Sequence, residues 1–479
     1  MRKSQTPRPE VPAGMLNRGE IAAIVLGVAL LLPAVGHAQT VRVQTDTQAR
    51  MTQMRRIDGT IDAGRVFSQS ARVSGFDLLG TQTNSLSAHV GFRFWNDFGL
   101  VNRLKDDAVT DMYWNQTLLE EAYVRWQPLP TLLLRAGRHM RLDALGAKDV
   151  DGLSVMAQPK LGRGVRGVVE VWAGQDVLYE TSPLSPDLWD IQGVPEGSQA
   201  AEADWSISGG ARAGLNGSKA GVELAWNRRQ YSDADGTYLA EERVGAAMHG
   251  QVTDALNVSA KASFHTILND VDRATLVAAY AMGPGAPTLS TGIERIVPWF
   301  DSGSIFNVFG AQPYEGAWLK AQQRVEGLNT EFDVRVFGRI YEGDQDLVDF
   351  GAGSADATTY GVGTGHETSL HVLGRAATWN SVVTYSDSID DAYGGSRALA
   401  QTRVRVQALN AIGIESRLLW LWSRPANSRY REGQGVTGTL GMDWRTDFGA
   451  FMALVESSQT TFQGGNLQAY LSYRAEVWP

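Results

Sequence analysis

The sequence predicts an all-β chain closed into an antiparallel transmembrane barrel. Three observations predict this fold: long stretches alternate apolar and polar residues, aromatic residues recur near the ends of those stretches, and an apolar segment near the amino terminus has the form of an export signal. Alternation with a period of two is the pattern of a strand with one face towards an apolar environment and the other towards water.

Composition excludes several other classes. Beyond the first 40 positions the chain has no apolar run approaching the roughly 20 residues that a membrane-spanning helix needs, so a helical membrane protein is excluded. Acidic residues (52) outnumber basic ones (43), which argues against a nucleic-acid partner. The chain has no cysteine, which rules out thiol catalysis, thiolate metal sites and disulfides.

Residues 329–341 illustrate the alternation. Val334 and Val336 fall on one face, and Asp333 and Arg335 fall on the other. The same pattern occurs over residues 257–266 and 401–409. A soluble antiparallel sheet would give this alternation too, so a second observation is needed to choose between the two.

Tryptophan positions supply that second observation. Indole rings settle at the polar boundary of a bilayer, and membrane barrels carry aromatic girdles at both rims. Scattered core tryptophans are the alternative interpretation of each position alone. The tryptophans that fall mostly near the ends of alternating runs are Trp95, Trp126, Trp172, Trp226, Trp299, Trp318, Trp379, Trp420, Trp422, Trp444 and Trp478.

The amino terminus predicts export. Residues 21–35 are an apolar stretch of 15 residues, preceded by Arg18 and followed by the small residues Gly36 and Ala38. This is the pattern of a secretory signal peptide, and we place cleavage after Ala38. Residues 1–38 are therefore predicted to be the signal peptide, and residues 39–479 one barrel domain. A single anchoring helix is the alternative, and translation could also begin at Met15.

A strand-built membrane protein must be a closed barrel, because an open sheet edge cannot satisfy its backbone groups in lipid. At roughly 22 to 25 residues per strand with its connection, the chain predicts about 18 to 20 strands, within a range of about 16 to 22. We expect short periplasmic turns, such as those at Asn216–Gly217 and Asp254–Ala255, and long extracellular loops. Residues 182–204 and 344–365, which are long and acidic, are predicted to be such loops.

Residues 118–174 carry the most informative motif. One predicted strand contains Glu121-Ala122-Tyr123-Val124, the next contains Leu134-Arg135-Ala136-Gly137-Arg138, and Asp151-Gly152-Leu153 follows. This succession resembles Gram-negative outer-membrane porin-like barrels, including the alginate-export-like and carbohydrate-porin-like families, although His139 stands where those families usually have Gln. The alternating carboxyl-terminal segment, residues 467–479, resembles the last strand that the outer-membrane assembly machinery recognises, with Trp478 penultimate.

The alternation also predicts which side chains face the lumen. If Ala122, Val124 and Trp126 face lipid, their neighbours face inward. Rings of arginine favour anions or bind sugar hydroxyls and carboxylates. Pairing of charges across strands, merely to keep a wide barrel polar, is the alternative explanation. The predicted pore-lining residues are Glu121, Tyr123, Arg125, Arg135, His139, Arg141, Asp333, Arg335, Arg339, Arg403 and Arg405.

The expected function is passive or weakly selective diffusion of small hydrophilic solutes, anions or sugars among them, across the bacterial outer membrane. Expected partners are outer-membrane lipid, lipopolysaccharide and the assembly machinery, with no nucleic acid and no cofactor. Export of an anionic polysaccharide is the alternative, and a barrel enzyme using His139 or His265 is a weaker one. No metal-binding motif appears, and a TonB-dependent transporter is disfavoured because no plug-sized segment precedes the predicted strands.

Overall fold

A computed structural model describes most of the predicted barrel domain. The described residues are 40–55, 61–79, 84–97, 115–162, 164–176, 205–233, 236–297, 313–342, 357–388, 395–424, 432–461 and 465–477. The predicted signal peptide lies outside them. Within these ranges no helix is long and apolar enough to cross a membrane.

The described residues form one sheet of 23 strands. The first half comprises β1 (Thr40–Arg55), β2 (Ile61–Phe76), β3 (Ser85–Asp97), β4 (Asn115–Leu129), β5 (Leu132–Asp143), β6 (Gly146–Ala157), β7 (Lys160–Gly162), β8 (Val165–Asp176), β9 (Trp205–Asn216), β10 (Ala220–Asp233), β11 (Gly236–Gln251) and β12 (Leu256–His265). The second half comprises β13 (Asp270–Ala281), β14 (Thr288–Ile296), β15 (Tyr314–Val325), β16 (Thr330–Tyr341), β17 (Ala357–Val372), β18 (Arg375–Ser388), β19 (Ser396–Leu409), β20 (Ile412–Arg424), β21 (Gly433–Thr446), β22 (Gly449–Thr460) and β23 (Asn466–Val477). One turn of 3-10 helix, Glu326–Leu328, joins β15 to β16.

The sheet closes on itself. Neighbouring strands pair antiparallel, and β1 also pairs with β23, so that Val43 lies opposite Val477 and Met54 opposite Asn466. Both β6 and the three-residue β7 pair with β8, so together they occupy one position in the wall. The barrel wall therefore has 22 strands. Where the strands pair around the ring, their backbone groups are satisfied without water.

The strand number is even and lies at the upper limit of the predicted range. The spacing used for the prediction allowed about 22 to 25 residues per strand with its connection. Several connections are much shorter, because residues 130–131, 373–374, 410–411 and 447–448 alone join their strands. The same chain length therefore accommodates more strands than the favoured 18 to 20.

The two ends of the barrel differ. One end, which we call the short-turn end, carries the brief connections, among them the predicted turns at 216–217 and 254–255. The opposite end, the long-loop end, receives the segments 98–114, 177–204 and 343–356, which lie outside the described residues. The predicted asymmetry between short turns and long loops is therefore confirmed.

The outer face of the barrel is apolar. Leu224 on β10 is 57% exposed and Leu440 on β21 is 60% exposed, and Val336 on β16 is also exposed. A soluble protein would bury such a belt, whereas a membrane barrel presents it to hydrocarbon. The predicted fold class, a closed antiparallel transmembrane β-barrel, is confirmed.

One loop prediction is wrong in part. Residues 357–365 belong to β17, while residues 344–356 lie outside the described part of the chain. The glycines of this stretch serve the strand: a Cβ on Gly361 would lie 2.4 Å from the Phe337 ring, so the missing side chain makes room for that ring on the inner face. The alternate residues Tyr360 and Val362 are exposed on the outer face.

The girdle prediction is also wrong for three of the described tryptophans. Trp95 lies opposite Ser68, on the side of β2 that carries Arg72, and so faces the inside of the barrel. Trp172 and Trp318 also lie on the inner face, away from lipid. Each of these last two rings packs over a glycine of a neighbouring strand: a Cβ would lie 2.6 Å from the Trp172 indole at Gly210 and 2.6 Å from the Trp318 indole at Gly292. Period-two alternation does not distinguish a tryptophan at a membrane boundary from one packed over an inner-face glycine.

Candidate functional site

The eleven residues predicted to line a pore all lie on the inward side of their strands. The cross-strand pairs establish this for β4 and β5, where Tyr123 lies opposite Gly137 and Arg125 opposite Arg135, while the intervening Val124 is exposed on the outer face. Their role in a conducting pore stays a prediction. Inward-facing are Glu121, Tyr123, Arg125, Arg135, His139, Arg141, Asp333, Arg335, Arg339, Arg403 and Arg405.

On the wall formed by β14 to β16, charges are largely paired. Lys320 Nζ lies 3.7 Å from the Asp333 carboxylate, and Arg339 Nη2 lies 3.4 Å from Glu294 Oε1. Arg335 instead stacks its guanidinium 5.0 Å from the centre of the Trp318 ring. Such stacking holds a cation in place without neutralising its charge.

On β19 to β21 the pattern repeats. Arg403 Nη2 lies 2.5 Å from Glu415 Oε2, and Arg405 Nη2 lies 2.8 Å from Asp443 Oδ1. Arg417 lies directly opposite Arg403. The three arginines of this wall therefore face the two carboxylates of these ion pairs, which leaves one arginine in excess. The alternative explanation, that lumen charges pair across strands, therefore accounts for most of these residues but not for all.

The wall of β2 to β5 contains an arginine pair without carboxylate partners. Arg72 forms an ion pair with Glu121, whereas no described carboxylate lies within ion-pair distance of Arg125 or Arg135. Like charges directly opposite each other on neighbouring strands repel. An anion between these two guanidinium groups would relieve that repulsion, so the pair favours a negatively charged solute.

Six of the inward arginines occupy one zone of the barrel. Counted along their strands, these arginines lie within about six residues of the short-turn end. The zone comprises Arg125, Arg135, Arg335, Arg403, Arg405 and Arg417, which we call the arginine zone.

Near this zone a hairpin leaves the wall. Pairing between β4 and β5 stops at Ala122 opposite Arg138, and pairing between β6 and β8 stops at Val150 opposite Asp176. Beyond these points β5 and β6 pair only with each other. We call residues 139–150 the inward hairpin.

A row of glycines permits this departure. Gly137, Gly152 and Gly174 lie opposite one another on β5, β6 and β8. A Cβ on Gly137 or on Gly152 would lie 2.2 Å from a backbone oxygen of the neighbouring strand, and Gly137 has φ of 111°. Only glycine tolerates that approach and that conformation, so the row forms a hinge.

The tip of the inward hairpin packs against the inner face of the wall formed by β8 to β11. The Ala144 backbone N–H donates to Glu223 Oε1 on β10 at 2.6 Å. The Leu145 side chain covers Gly245 on β11, where a Cβ would lie 2.6 Å from Leu145 Cδ2. Both contacted positions are on the inner face, so the hairpin folds into the lumen.

The β5 arm of the hairpin is fastened by charges. The buried Glu170 carboxylate on β8 is shared by Arg141, at 3.7 Å, and by Arg212 of β9, at 2.7 Å. Arg212 also donates to the Leu142 carbonyl at 2.8 Å. The Arg141 guanidinium lies 4.2 Å from the centre of the Trp172 ring. These contacts hold the arm flat against the wall.

The β6 arm is fastened at a second carboxylate. Lys148 Nζ lies 3.9 Å from Glu241 Oε2 on β11. Glu241 is also approached by Arg229 at 3.3 Å and by Arg243 at 3.4 Å. The hairpin is thus joined to a charge network that continues along the inner wall.

This arrangement changes the interpretation of two predicted residues. His139 and Arg141 are 2% and 3% exposed, because they are packed between the hairpin and the wall. They hold the hairpin in place instead of lining the open lumen. The open surface belongs to Met140 and Leu142, which are 63% and 66% exposed on the hairpin's opposite face.

Met140 and Leu142 are not among the residues predicted to line the pore, since period-two alternation places them on the lipid side of β5. The assignment would hold for a hairpin that stays in the wall. The signal that could have found the inward hairpin is the glycine row, because Gly137 and Gly152 stand inside otherwise good strands. Glycine within a strand marks a bulge or a close approach of another backbone.

Comparisons with known proteins address the fold. No protein-family model and no curated protein matches the sequence, so the resemblance over residues 118–174 stays a local one. A mutant of the ferric enterobactin receptor PfeA from Pseudomonas aeruginosa is 9% identical, with a TM-score of 0.55 over 91% of this chain and 80% of the receptor. The fold is that of a large outer-membrane barrel.

Two other solved structures are similar over more of their own length. Acinetobacter baumannii OccAB1 is 7% identical, with a TM-score of 0.44 over 92% of this chain and 97% of OccAB1. Pseudomonas aeruginosa OccK2 (OpdF), in complex with glucuronate, is 9% identical, with a TM-score of 0.42 over 92% of this chain and 99% of OccK2. At this degree of similarity they add no argument about function.

The histidines considered for catalysis make structural contacts. His139 Nδ1 lies 2.8 Å from the Gly137 carbonyl, and His265 Nδ1 accepts from the Leu268 backbone N–H at 3.3 Å. Another histidine, His89, lies with its Nδ1 2.9 Å from the hydroxyl of the buried Ser74. Within the described ranges, no group of three or more His, Asp or Glu side chains could hold a metal ion.

Proposed function

We propose that this chain is an outer-membrane channel for small hydrophilic solutes, with a preference for anions. The closed ring and its apolar outer face place the chain across a membrane, and the charged inner face suits a water-filled lumen. Barrels of about 16 strands or more are wide enough for an aqueous path.

One observation carries the preference for anions. Arg125 and Arg135 face each other on the inner wall with no described carboxylate in ion-pair distance, while most other lumen arginines have one. Side chains opposite each other on antiparallel strands have Cβ atoms about 5 Å apart, so the two guanidinium groups act on a passing solute almost as one doubly charged centre.

The cellular setting completes the proposal. Cleavage after Ala38 would release the mature chain to the periplasm, where the assembly machinery would receive the carboxyl-terminal strand. The long-loop end would then face the cell exterior and meet lipopolysaccharide, and the short-turn end would face the periplasm. The arginine zone would lie towards the periplasmic side of the lumen.

The test is the ion selectivity of the purified chain in planar bilayers. At an effective distance of about 8 Å in water each unit charge contributes about 0.5 kcal/mol, so the pair should stabilise a monovalent anion and destabilise a monovalent cation by about 1 kcal/mol each. The preference for anion over cation should therefore be about 2 kcal/mol, or roughly thirtyfold, at low salt. The double variant Arg125→Gln, Arg135→Gln should lose this preference. In about 1 M salt, where the Debye length is about 3 Å, the wild-type preference should nearly vanish.

A matched control removes a neutral pair of charges. Arg474 Nη2 lies 3.1 Å from Asp46 Oδ2 on the inner face, across the seam between β23 and β1. The variant Arg474→Gln, Asp46→Asn changes no net charge, so its reversal potential should equal that of the wild type. Absence of discrete conductance steps in every variant would overturn the channel proposal itself.

The second expected function, export of an anionic polysaccharide, is not favoured. No contact among the described residues favours a polymer over a small solute.

A further inference from the structure

A hollow of about 920 Å³ lies on the outer face of the barrel, over the strands from β10 to β17. On neighbouring strands its lining consists of outward side chains and the backbone between them. Met248, Leu276 and Ile293 stand at its sides and are 51%, 42% and 57% exposed, as expected on the lipid side of a barrel wall. The hollow therefore opens towards lipid and not into the lumen.

Small side chains form the floor of this hollow. Ala246, Ala262 and Ala274 lie directly opposite one another on β11, β12 and β13. In the next cross-strand row Ala260 lies opposite the larger Met248. An unfilled recess forfeits dispersion contacts, and a flexible hydrocarbon chain can restore them. The hollow is thus shaped to take an acyl chain against the wall.

The alanine floor ends at a charged group. Arg295 on β14 lies directly opposite Ala274, and Glu315 on β15 lies opposite Arg295, so both continue the same row of the outer face. Arg295 Nη1 lies 2.9 Å from Glu315 Oε1 and 2.6 Å from Glu342 Oε1. Its Nη2 lies 3.2 Å from Asp270 Oδ2. One guanidinium group therefore stands among three carboxylates, which leaves two negative charges in excess.

This excess of negative charge favours a cationic ligand. The connections that follow β14 and β16, residues 298–312 and 343–356, contain no lysine or arginine. A divalent cation such as calcium needs six or more oxygen ligands, and within the described ranges no three acidic or histidine side chains are placed to hold a metal ion. A primary ammonium group donates to single carboxylate oxygens, so it suits this group better.

From the apolar hollow and the charged group at its edge we infer a binding site for a phospholipid with a primary-amine headgroup. One acyl chain lies along the alanine floor, and the ammonium group donates hydrogen bonds to Glu315 and Glu342, whose side chains are 61% and 48% exposed. A second copy of the chain fits less well, because a twofold axis through this face would set one hollow against another and leave unfilled space. The inference requires that the outer wall lie in a bilayer, but not that the barrel conduct solutes.

The test is native mass spectrometry of the purified barrel, titrated in detergent with one lipid at a time. The probes are three dioleoyl lipids that differ in their headgroups. Phosphatidylethanolamine has an ammonium group with N–H donors, phosphatidylcholine has a quaternary ammonium group without them, and phosphatidylglycerol has no cation. Phosphatidylethanolamine should bind about tenfold more tightly than the other two, as expected for one charge-assisted hydrogen bond. Equal retention of the three lipids would overturn the inference.

One pair of substitutions tests the headgroup contact. Glu315→Gln, Glu342→Gln should abolish the preference for phosphatidylethanolamine, and Arg295 keeps its third carboxylate in this variant. Glu432→Gln is the control, because that carboxylate accepts from the Trp422 indole at 2.7 Å over β20 and β21, away from the hollow. A preference that survives in the double variant would show that these carboxylates do not bind the headgroup, and the inference would fall.

A second pair tests the hollow. Ala262→Leu, Ala274→Leu should fill its floor and weaken binding of all three lipids. Ala453→Leu, on the outer wall of β22 between Met442 and Leu471, should leave binding unchanged. Unchanged binding in the filled variant, with the wild-type circular dichroism, would refute the site. A dimer that appears in the wild-type spectra and is lost in the filled variant would identify a second copy as the occupant and overturn the lipid assignment.

Discussion

Gly245→Val should release the tip of the inward hairpin from the wall. A Cβ at this position would lie 2.6 Å from Leu145 Cδ2 and 3.0 Å from Leu145 Cγ, so the Leu145 side chain would have to move. Forcing added methyl groups into a packed contact typically costs about 1–3 kcal/mol.

The interactions that hold the hairpin tip against the wall are weak. Partial burial of Leu145 contributes about 1 kcal/mol, and the hydrogen bond from Ala144 to the Glu223 carboxylate contributes about 1.5–3 kcal/mol. The steric cost is therefore comparable with the docking energy. The ratio of docked to undocked hairpin should fall by roughly tenfold to a hundredfold.

The assay is single-channel conductance in planar bilayers. With the tip displaced, we expect wider fluctuation between current levels and a larger mean conductance. Gly441→Val is the matched control, because a Cβ on that inner-wall glycine would meet only ordinary contacts, the nearest at 3.7 Å.

A complementary variant fixes the tip instead of releasing it. In Leu145→Cys, Gly245→Cys the new Cβ at 245 would lie 3.0 Å from the position of Leu145 Cγ, where the other sulfur would stand. A disulfide should form on oxidation and should quieten the current, reversibly on reduction. If no disulfide forms in a folded barrel and Gly245→Val conducts like the wild type, the hairpin does not rest on β11.

Two further predictions concern stability, measured by urea unfolding in detergent micelles. Glu170→Gln should destabilise the barrel by about 3–5 kcal/mol, because the two arginines that share this carboxylate would stay buried without its charge. Glu456→Gln keeps an amide oxygen that can accept the hydrogen bond that Thr439 donates at 3.3 Å, so it should cost less than about 1 kcal/mol. Leu224→Arg should cost about 2–4 kcal/mol if it lies near mid-membrane, whereas Thr437→Arg on the inner face should be nearly neutral. Equal costs for the members of either pair would contradict the assigned environments.

The barrel itself could be predicted from the sequence because its signal is local. Each stretch such as residues 329–341 carries its own alternation, and the need to close the ring follows from the chemistry of a backbone in lipid. The inward sides of Asp333, Arg335 and Arg339 followed from the same period of two.

Alternation could not predict that the inward hairpin leaves the barrel wall. Met140 and Leu142 continue the period-two alternation of β5. Their sequence pattern is therefore the same whether this face of the inward hairpin lies against lipid or against the lumen. The contacts that decide between lipid and lumen are those of the hairpin tip with Glu223 and Gly245. These two residues are far from the hairpin in the sequence, and no periodic pattern of residues announces them. Three glycines in register across β5, β6 and β8 were the available sign.

The seam between β1 and β23 imposes an order on how the barrel is made. Its ladder joins residues 43–54 to residues 466–477, and Arg42 bonds Glu476 across it at 2.9 Å. Apart from the short β7, which shares its position in the wall with β6, every other neighbouring pair of strands is adjacent in the chain. A growing sheet can therefore add strands one at a time, but it keeps two unpaired edges until the seam forms. Closure of the barrel is then a single late step.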